Sequence, residues 1–191
     1  MKTLYFATSN QWKFNLAKRF FDKGEISLKQ YEVDMPESRS EEGEEIAREK
    51  VEFAYLKLKK PLFVLDGSFK VRALNNFPKS YVKFMDKYIG AEGILKLMEG
   101  KKDRHWEFLN ILCYKDNKIQ KTFIGIQQGQ VVPKITHNKK GQIRDFDRVL
   151  IPDGYNKTFA EFTKEEIEEY DNNVWSTLFY PFIEWFKNHS K

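Results

Sequence analysis

The chain opens with apolar residues over positions 3–7 that give way to Thr8-Ser9-Asn10, which predicts a short strand ending in a polar turn. Phe14, Leu16, Ala17, Phe20 and Phe21 then recur along one helical stripe, and Gly24 closes it. Strand, turn and helix in this order open many α/β domains. Residues 26–33 alternate apolar and polar positions and predict a second strand, followed by an extended loop that Pro36 stiffens. Residues 41–59 predict a long helix. Glu41, Glu42, Glu44 and Glu45 crowd its start and Lys57, Lys59 and Lys60 its end, as the helix dipole favours, and Pro61 stops it. Residues 62–65 form a continuous apolar run, a buried strand ending at Asp66. Helices are predicted over 80–88 and 91–98, and two long β-like runs, 106–114 and 118–126, are joined by Lys115-Asp116-Asn117 as a hairpin. Residues 133–141 read as a polar loop, and 146–151 as a strand. Thr163 caps an acidic helix, and 174–186 predicts an aromatic-rich helix interrupted near Pro181. No repeat, low-complexity segment or linker divides the chain, so residues 1–191 read as a single α/β domain.

Composition narrows the class. Hydrophobic residues at 41% and charged residues at 32% favour a globular domain over disorder, and the 17 Phe are core material. A formal charge of +5 suits phosphorylated ligands or nucleic acid, but no long basic run interleaves with aromatics, so nucleic acid is not an expected partner. The single cysteine, Cys113, excludes a disulfide within the chain, fits a reducing compartment, and sits in an apolar run as a buried small hydrophobe. The apolar start is too short for a secretion signal and no window reaches the ~20 apolar residues of a membrane span, so a cytoplasmic protein without a membrane partner is expected.

The candidate chemistry lies at predicted strand ends, where open α/β sheets place ligands. Thr8-Ser9-Asn10-Gln11-Trp12-Lys13 puts small polar groups and a lysine at a helix start, which suits a phosphate. Glu37, on the Pro-braced loop, and Asp66, after the apolar run, are the carboxylates a hard cation such as Mg²⁺ needs. Each has an ordinary structural explanation as well: Thr8 or Asn10 as a helix cap, Glu37 and Asp66 as turn residues, Lys50 as a surface lysine.

A resemblance gathers them. Phe6-Ala7-Thr8-Ser9-Asn10 with Lys13, Asp34-Met35-Pro36-Glu37, Glu45-Ile46 with Lys50, Val64-Leu65-Asp66, Ala73-Leu74-Asn75-Asn76-Phe77-Pro78-Lys79-Ser80-Tyr81, Phe123-Ile124-Gly125 with Gly129, and Pro152-Asp153-Gly154-Tyr155 with Thr158-Phe159-Ala160-Glu161 run in order along the chain. In order and spacing they resemble the motifs of the inosine triphosphate pyrophosphatase family. The resemblance implies a long mixed β-sheet flanked by helices, with two lobes and a nucleotide cleft between them. It implies hydrolysis of purine nucleoside triphosphates with deaminated bases (ITP, dITP or XTP) to the monophosphate and pyrophosphate, with Mg²⁺ as cofactor. Carried over position by position, Glu37 and Asp66 hold the metal or orient water. Lys13 and Lys50 neutralise phosphate charge, Thr8 and Asn10 bind phosphate, and Asp66, Glu37 and Lys50 form the catalytic set. Family members are commonly homodimers, so a homodimer is a further expectation.

The sequence departs from the family pattern in three places. An acidic position is Leu65, and Gly67-Ser68 inverts the order that follows the family's aspartate. Ile143-Arg144-Asp145-Phe146-Asp147-Arg148 replaces a glycine-rich base pocket. Asp171-Asn172-Asn173-Val174-Trp175-Ser176-Thr177 stands where the family has a Ser-His-Arg motif that reads the purine 6-oxo group. Phe146, Asp147 and Ser176 remain the base-side candidates. The expected function is therefore a triphosphate pyrophosphatase with altered specificity or reduced activity. The alternative is a catalytically impaired (d)ITP sensor that signals to an effector protein, as in anti-phage systems.

Overall fold

The computed structural model describes residues 2–36, 40–137 and 144–189. The elements run β1 (Thr3–Ala7), α1 (Gln11–Lys23), β2 (Ser27–Tyr31), α2 (Gly43–Leu58), β3 (Leu62–Val71), β4 (Phe77–Lys79), α3 (Val82–Tyr88), α4 (Gly90–Leu97), β5 (His105–Lys115), β6 (Gln120–Val131), β7 (Leu150–Pro152) and α5 (Lys164–His189). Short 3-10 turns lie at Arg72–Leu74, Asp145–Val149 and Phe159–Glu161. Seven strands make one mixed sheet in the order β2-β1-β3-β5-β6-β7, with β4 on β3. β1 pairs in parallel with β2 and β3, whereas β3–β4 and β6–β7 are antiparallel. The α/β class with a mixed sheet flanked by helices is thus the observed one.

The chain forms two compact units. The first comprises Met1–Asp66, Asn110–Gly125 and Trp175–Lys191, and the second Gly67–Leu109 and Ile126–Val174. In the first, Leu4, Phe6, Phe63, Leu65 and Leu112 of the strands pack against Leu16, Phe20 and Phe21 of α1 and Phe179 and Phe182 of α5. The phenylalanine excess is spent here: Phe63 stacks on Phe6 at 4.4 Å and on Phe21 at 5.4 Å between ring centres. Strand alternation places Phe63 and Leu65 on this face and Val64 and Asp66 on the other. α2 buries Ile46, Ala47, Val51 and Ala54, spaced for one helical stripe. In the second unit, Phe69, Val71, Trp106 and Val131 pack with Ile94, Met98, Phe146, Phe159 and Phe162.

Three expectations change. β3 does not stop at Asp66 but continues to Val71, because Phe69 and Val71 are buried and residues 69–71 pair with β4. Residues 146–151 are not one strand: Asp147 accepts from the Arg144 backbone N–H, which winds residues 145–149 into a 3-10 turn before β7. The C-terminal helix is not interrupted. α5 runs through Pro181, held by buried Phe179, Phe182 and Ile183 on either side of the proline. Cys113 is buried, as its apolar run implied. Among the described residues no helix is long and apolar enough to cross a membrane.

Candidate active site

The β1–α1 turn is built by its own polar side chains. Thr8 Oγ1 accepts from the Asn10 N–H at 3.1 Å, and Asn10 Oδ1 caps α1 by accepting from the Lys13 N–H at 3.0 Å. The Thr8 carbonyl accepts from Gln30 Nε2 and the Thr8 N–H donates to the Tyr31 carbonyl, which ties the turn to β2. Both functional candidates therefore shape the loop. An asparagine cap leaves its NH₂ donors for a ligand, and the first amides of α1, at Gln11 and Trp12, have no intrahelical acceptor.

Lys13 reaches across to β3. The β1–β3 pairing ends at Phe6 and Phe63, so Leu65 lies beyond it, and its carbonyl accepts from Lys13 Nζ at 2.9 Å. The next residue, Asp66, faces the opposite side of β3 and meets Lys50 of α2, Nζ to Oδ2 at 2.5 Å. Lys50 lies one turn after the buried Ile46, which directs it toward the sheet. The lysine and aspartate side chains keep 25% and 21% exposure, so the pair remains open to solvent. Thr8, Asn10, Lys13, Lys50 and Asp66 thus all belong to the first unit, and Lys13 and Lys50 bind adjacent residues at one point of β3. Glu37 lies outside the described residues.

The base-side candidates are placed differently. Phe146 is wholly buried, 5.1 Å from Phe69 and 4.8 Å from the Arg144 guanidinium. Asp147 is 1% exposed and accepts from Arg144 Nε at 3.2 Å and Nη2 at 3.0 Å. Burial pushes its carboxyl above the ordinary range, and Arg144 opposes that shift. As placed, neither residue presents a surface to a ligand. Neighbouring Asp145 accepts from the Ala91 N–H at 2.8 Å and from Arg148 at 2.8 Å. Gly90 is required at that contact: its φ is +59°, and a Cβ would come within 2.6 Å of the Asp145 carboxylate. Ser176 is half-buried in α5, beside Trp175.

Sequence reasoning passed over Trp12. It is 56% exposed, directly precedes Lys13, and meets Trp175 edge-on at 6.3 Å between ring centres. The available signal was its place inside a phosphate-type turn, where a large apolar side chain has no core to enter.

Among the described residues no group of three or more His, Cys, Asp or Glu is arranged around a metal position. One carboxylate within β3, Asp66, fits a hard cation that arrives with phosphate oxygens and keeps its waters, rather than one held in an all-protein cage.

A sequence model described as the Ham1 family matches residues 4–173. The dITP/XTP pyrophosphatase of Saccharolobus solfataricus is 38% identical over 184 residues, covering 96% of this chain and 93% of that protein. That of Methanopyrus kandleri is 33% identical over 190 residues, covering 99% and 98%. Among solved structures, the Ham1 protein of Staphylococcus aureus has a TM-score of 0.79 at 20% identity, covering 98% of this chain and all of that one. A HAM1 protein from Coxiella burnetii has a TM-score of 0.81 at 16% identity, covering 98% and 100%. With matched motifs in order, near-complete coverage by relatives and the same fold, the chain belongs to the Ham1 family.

Proposed function

We propose that this chain hydrolyses non-canonical purine nucleoside triphosphates, dITP and XTP among them, to the nucleoside monophosphate and pyrophosphate, with a changed mode of base recognition. The observation that carries this reading is the convergence of Lys13 and Lys50 on Leu65 and Asp66, in a chain whose relatives are named dITP/XTP pyrophosphatases.

In this reading the α1 amides and the Asn10 NH₂ donate to phosphate oxygens while Lys13 and Lys50 offset their charge. Lys13 gives up a neutral carbonyl to do so. Lys50 shares itself between Asp66 and the ligand. Asp66 accepts a proton from the attacking water. The water oxygen bonds to the α-phosphorus, the bond from that phosphorus to the bridging oxygen breaks, and its electron pair leaves with pyrophosphate. Asp66, with Glu37, would hold Mg²⁺. The cation would supply charge stabilisation on the phosphates. A homodimer is proposed on the family resemblance alone.

The test incubates the protein with Mg²⁺ and ITP, dITP, XTP, GTP or ATP, and measures both binding and pyrophosphate release. Release from the deaminated purines, abolished by Asp66→Asn, is the expected result. Binding without release would favour the sensor that signals to an effector. No binding of any triphosphate would sink both readings.

A further inference from the structure

Two features of the first unit have no role in the phosphate end described above: the amide of Asn110 and the indole of Trp12. Asn110 is 4% exposed, and its Nδ2 has no hydrogen-bond partner among the described residues. Folded proteins pair nearly all such donors, because an unmade hydrogen bond leaves its desolvation cost uncompensated. Leu112 and Tyr114, at alternate positions along β5, belong to the core beneath α1 and α5, so Asn110 shares that face. Asn110, Trp12 and Trp175 all belong to the first unit. Leu65 and Leu112 of the sheet and Leu178 of α5 contribute apolar side chains to the core on this face. Such surroundings suit a flat, neutral heterocycle with one acceptor better than a charged phosphate.

Trp12 supplies a complementary surface. Trp106 and Trp175 are 1% and 6% exposed, whereas Trp12 is 56% exposed. Its ring is fixed by Trp175, which itself stacks on Phe179 at 5.7 Å. An aromatic ring braced by a buried one and more than half exposed is a preorganised stacking platform.

We propose that Trp12 and Asn110 recognise the purine of the ligand, Trp12 by stacking on its ring and Asn110 Nδ2 by donating to the 6-oxo oxygen. The proposal rests on the triphosphate reading above. Hypoxanthine, xanthine and guanine carry that acceptor, whereas adenine carries an amino donor that faces Asn110 Nδ2 unfavourably. Ring-face recognition is sequence-tolerant and leaves Asn110 to separate oxo from amino purines.

The experiment compares the wild-type protein with Asn110→Leu and Trp12→Leu, using dITP, ATP and inorganic tripolyphosphate, a ligand with phosphates and no base. Steady-state constants are measured, or dissociation constants if turnover is absent, together with thermal unfolding. Asn110→Leu should lower the preference for dITP over ATP roughly fivefold to tenfold, through KM for dITP, the size expected for one neutral hydrogen bond. It should also raise Tm, because a donor without a partner is removed. An unchanged preference, or a fall in Tm, would overturn the role of Asn110. Trp12→Leu should weaken dITP and ATP alike by about tenfold and leave inhibition by tripolyphosphate unchanged. Equal loss for tripolyphosphate would overturn the role of Trp12. If the wild-type protein takes tripolyphosphate but no nucleoside triphosphate, the reading on which this proposal rests fails first, before any variant is compared.

Discussion

Lys50–Asp66 and Arg144–Asp147 are both cation–carboxylate pairs, yet their carboxylates sit in opposite surroundings. In the first the aspartate keeps 21% of its surface in solvent and its partner comes from a helix 16 residues away in sequence. In the second the aspartate is 1% exposed although Arg144 keeps 39% of its side chain in solvent, and that partner is three residues away and also donates a backbone N–H, so only the carboxylate is sealed. An open pair exchanges partners at little cost, because water compensates each charge as it separates. A sealed carboxylate has no such alternative, and breaking its pair strands a charge. The open pair is therefore suited to binding a ligand, and the sealed carboxylate to holding a turn. Charge type alone did not separate these roles; solvent access did.

That contrast breaks most readily at Asp66. Asp66→Asn should lower pyrophosphate release about a thousandfold, on the order of 4 kcal/mol of barrier. Chemical denaturation should show a stability change below about 1 kcal/mol, because the pair is open. A large loss of stability would place this pair with the sealed one. Arg144→Met should do the reverse. It strands the buried Asp147 carboxylate and should cost about 3 kcal/mol in urea unfolding, with KM for dITP unchanged in the remaining folded protein. A selective rise in KM would instead assign Arg144 to the ligand.

Lys13→Met should raise KM roughly thirtyfold, about 2 kcal/mol, through loss of one charged phosphate contact. Fluorescence-detected unfolding should barely move, because the Lys13 ammonium donates to a neutral backbone carbonyl, that of Leu65, in a part-buried contact. The smallest effect is expected at Asp116, a satisfied carboxylate in the first unit. Burial raises its pKa, but the Ile119 and Lys118 amides, His189 and Tyr114 outweigh that and hold it at about 2, below the ordinary 3.8. Its contribution is then full above about pH 4 and is lost as the pH falls toward 2. After allowance for screening at the turn it amounts to about 1 kcal/mol. Acid titration of stability should show this loss in the wild-type protein and not in Asp116→Asn.

Much of the fold was legible because it rests on local periodicity. The stripe of Leu16, Ala17, Phe20 and Phe21 gave α1, and the charge gradient with Pro61 bounded α2. Motif order singled out the residues proposed for the phosphate end, and the structure groups Thr8, Asn10, Lys13, Lys50 and Asp66 in one unit. The errors fell where a specific side-chain contact or core packing overrides intrinsic propensity. Residues 146–151 have β-prone composition, but the Arg144–Asp147 contact winds most of them into a 3-10 turn. Proline disfavours a helix interior, and the core around Phe179 and Phe182 keeps α5 continuous through Pro181.

By itself the sequence determined which residues are apolar at which period, and hence the helices, most strands, the α/β class and the polar turn at Thr8 to Lys13. Those follow from interactions between residues close in the chain. Only the tertiary structure decided that Asp66 stays open while Asp147 is sealed, that Phe146 is core, that the buried Asn110 Nδ2 has no partner among the described residues, and that Trp12 stands exposed against Trp175. Burial and desolvation are set by chain segments far apart in sequence, and no local pattern records them.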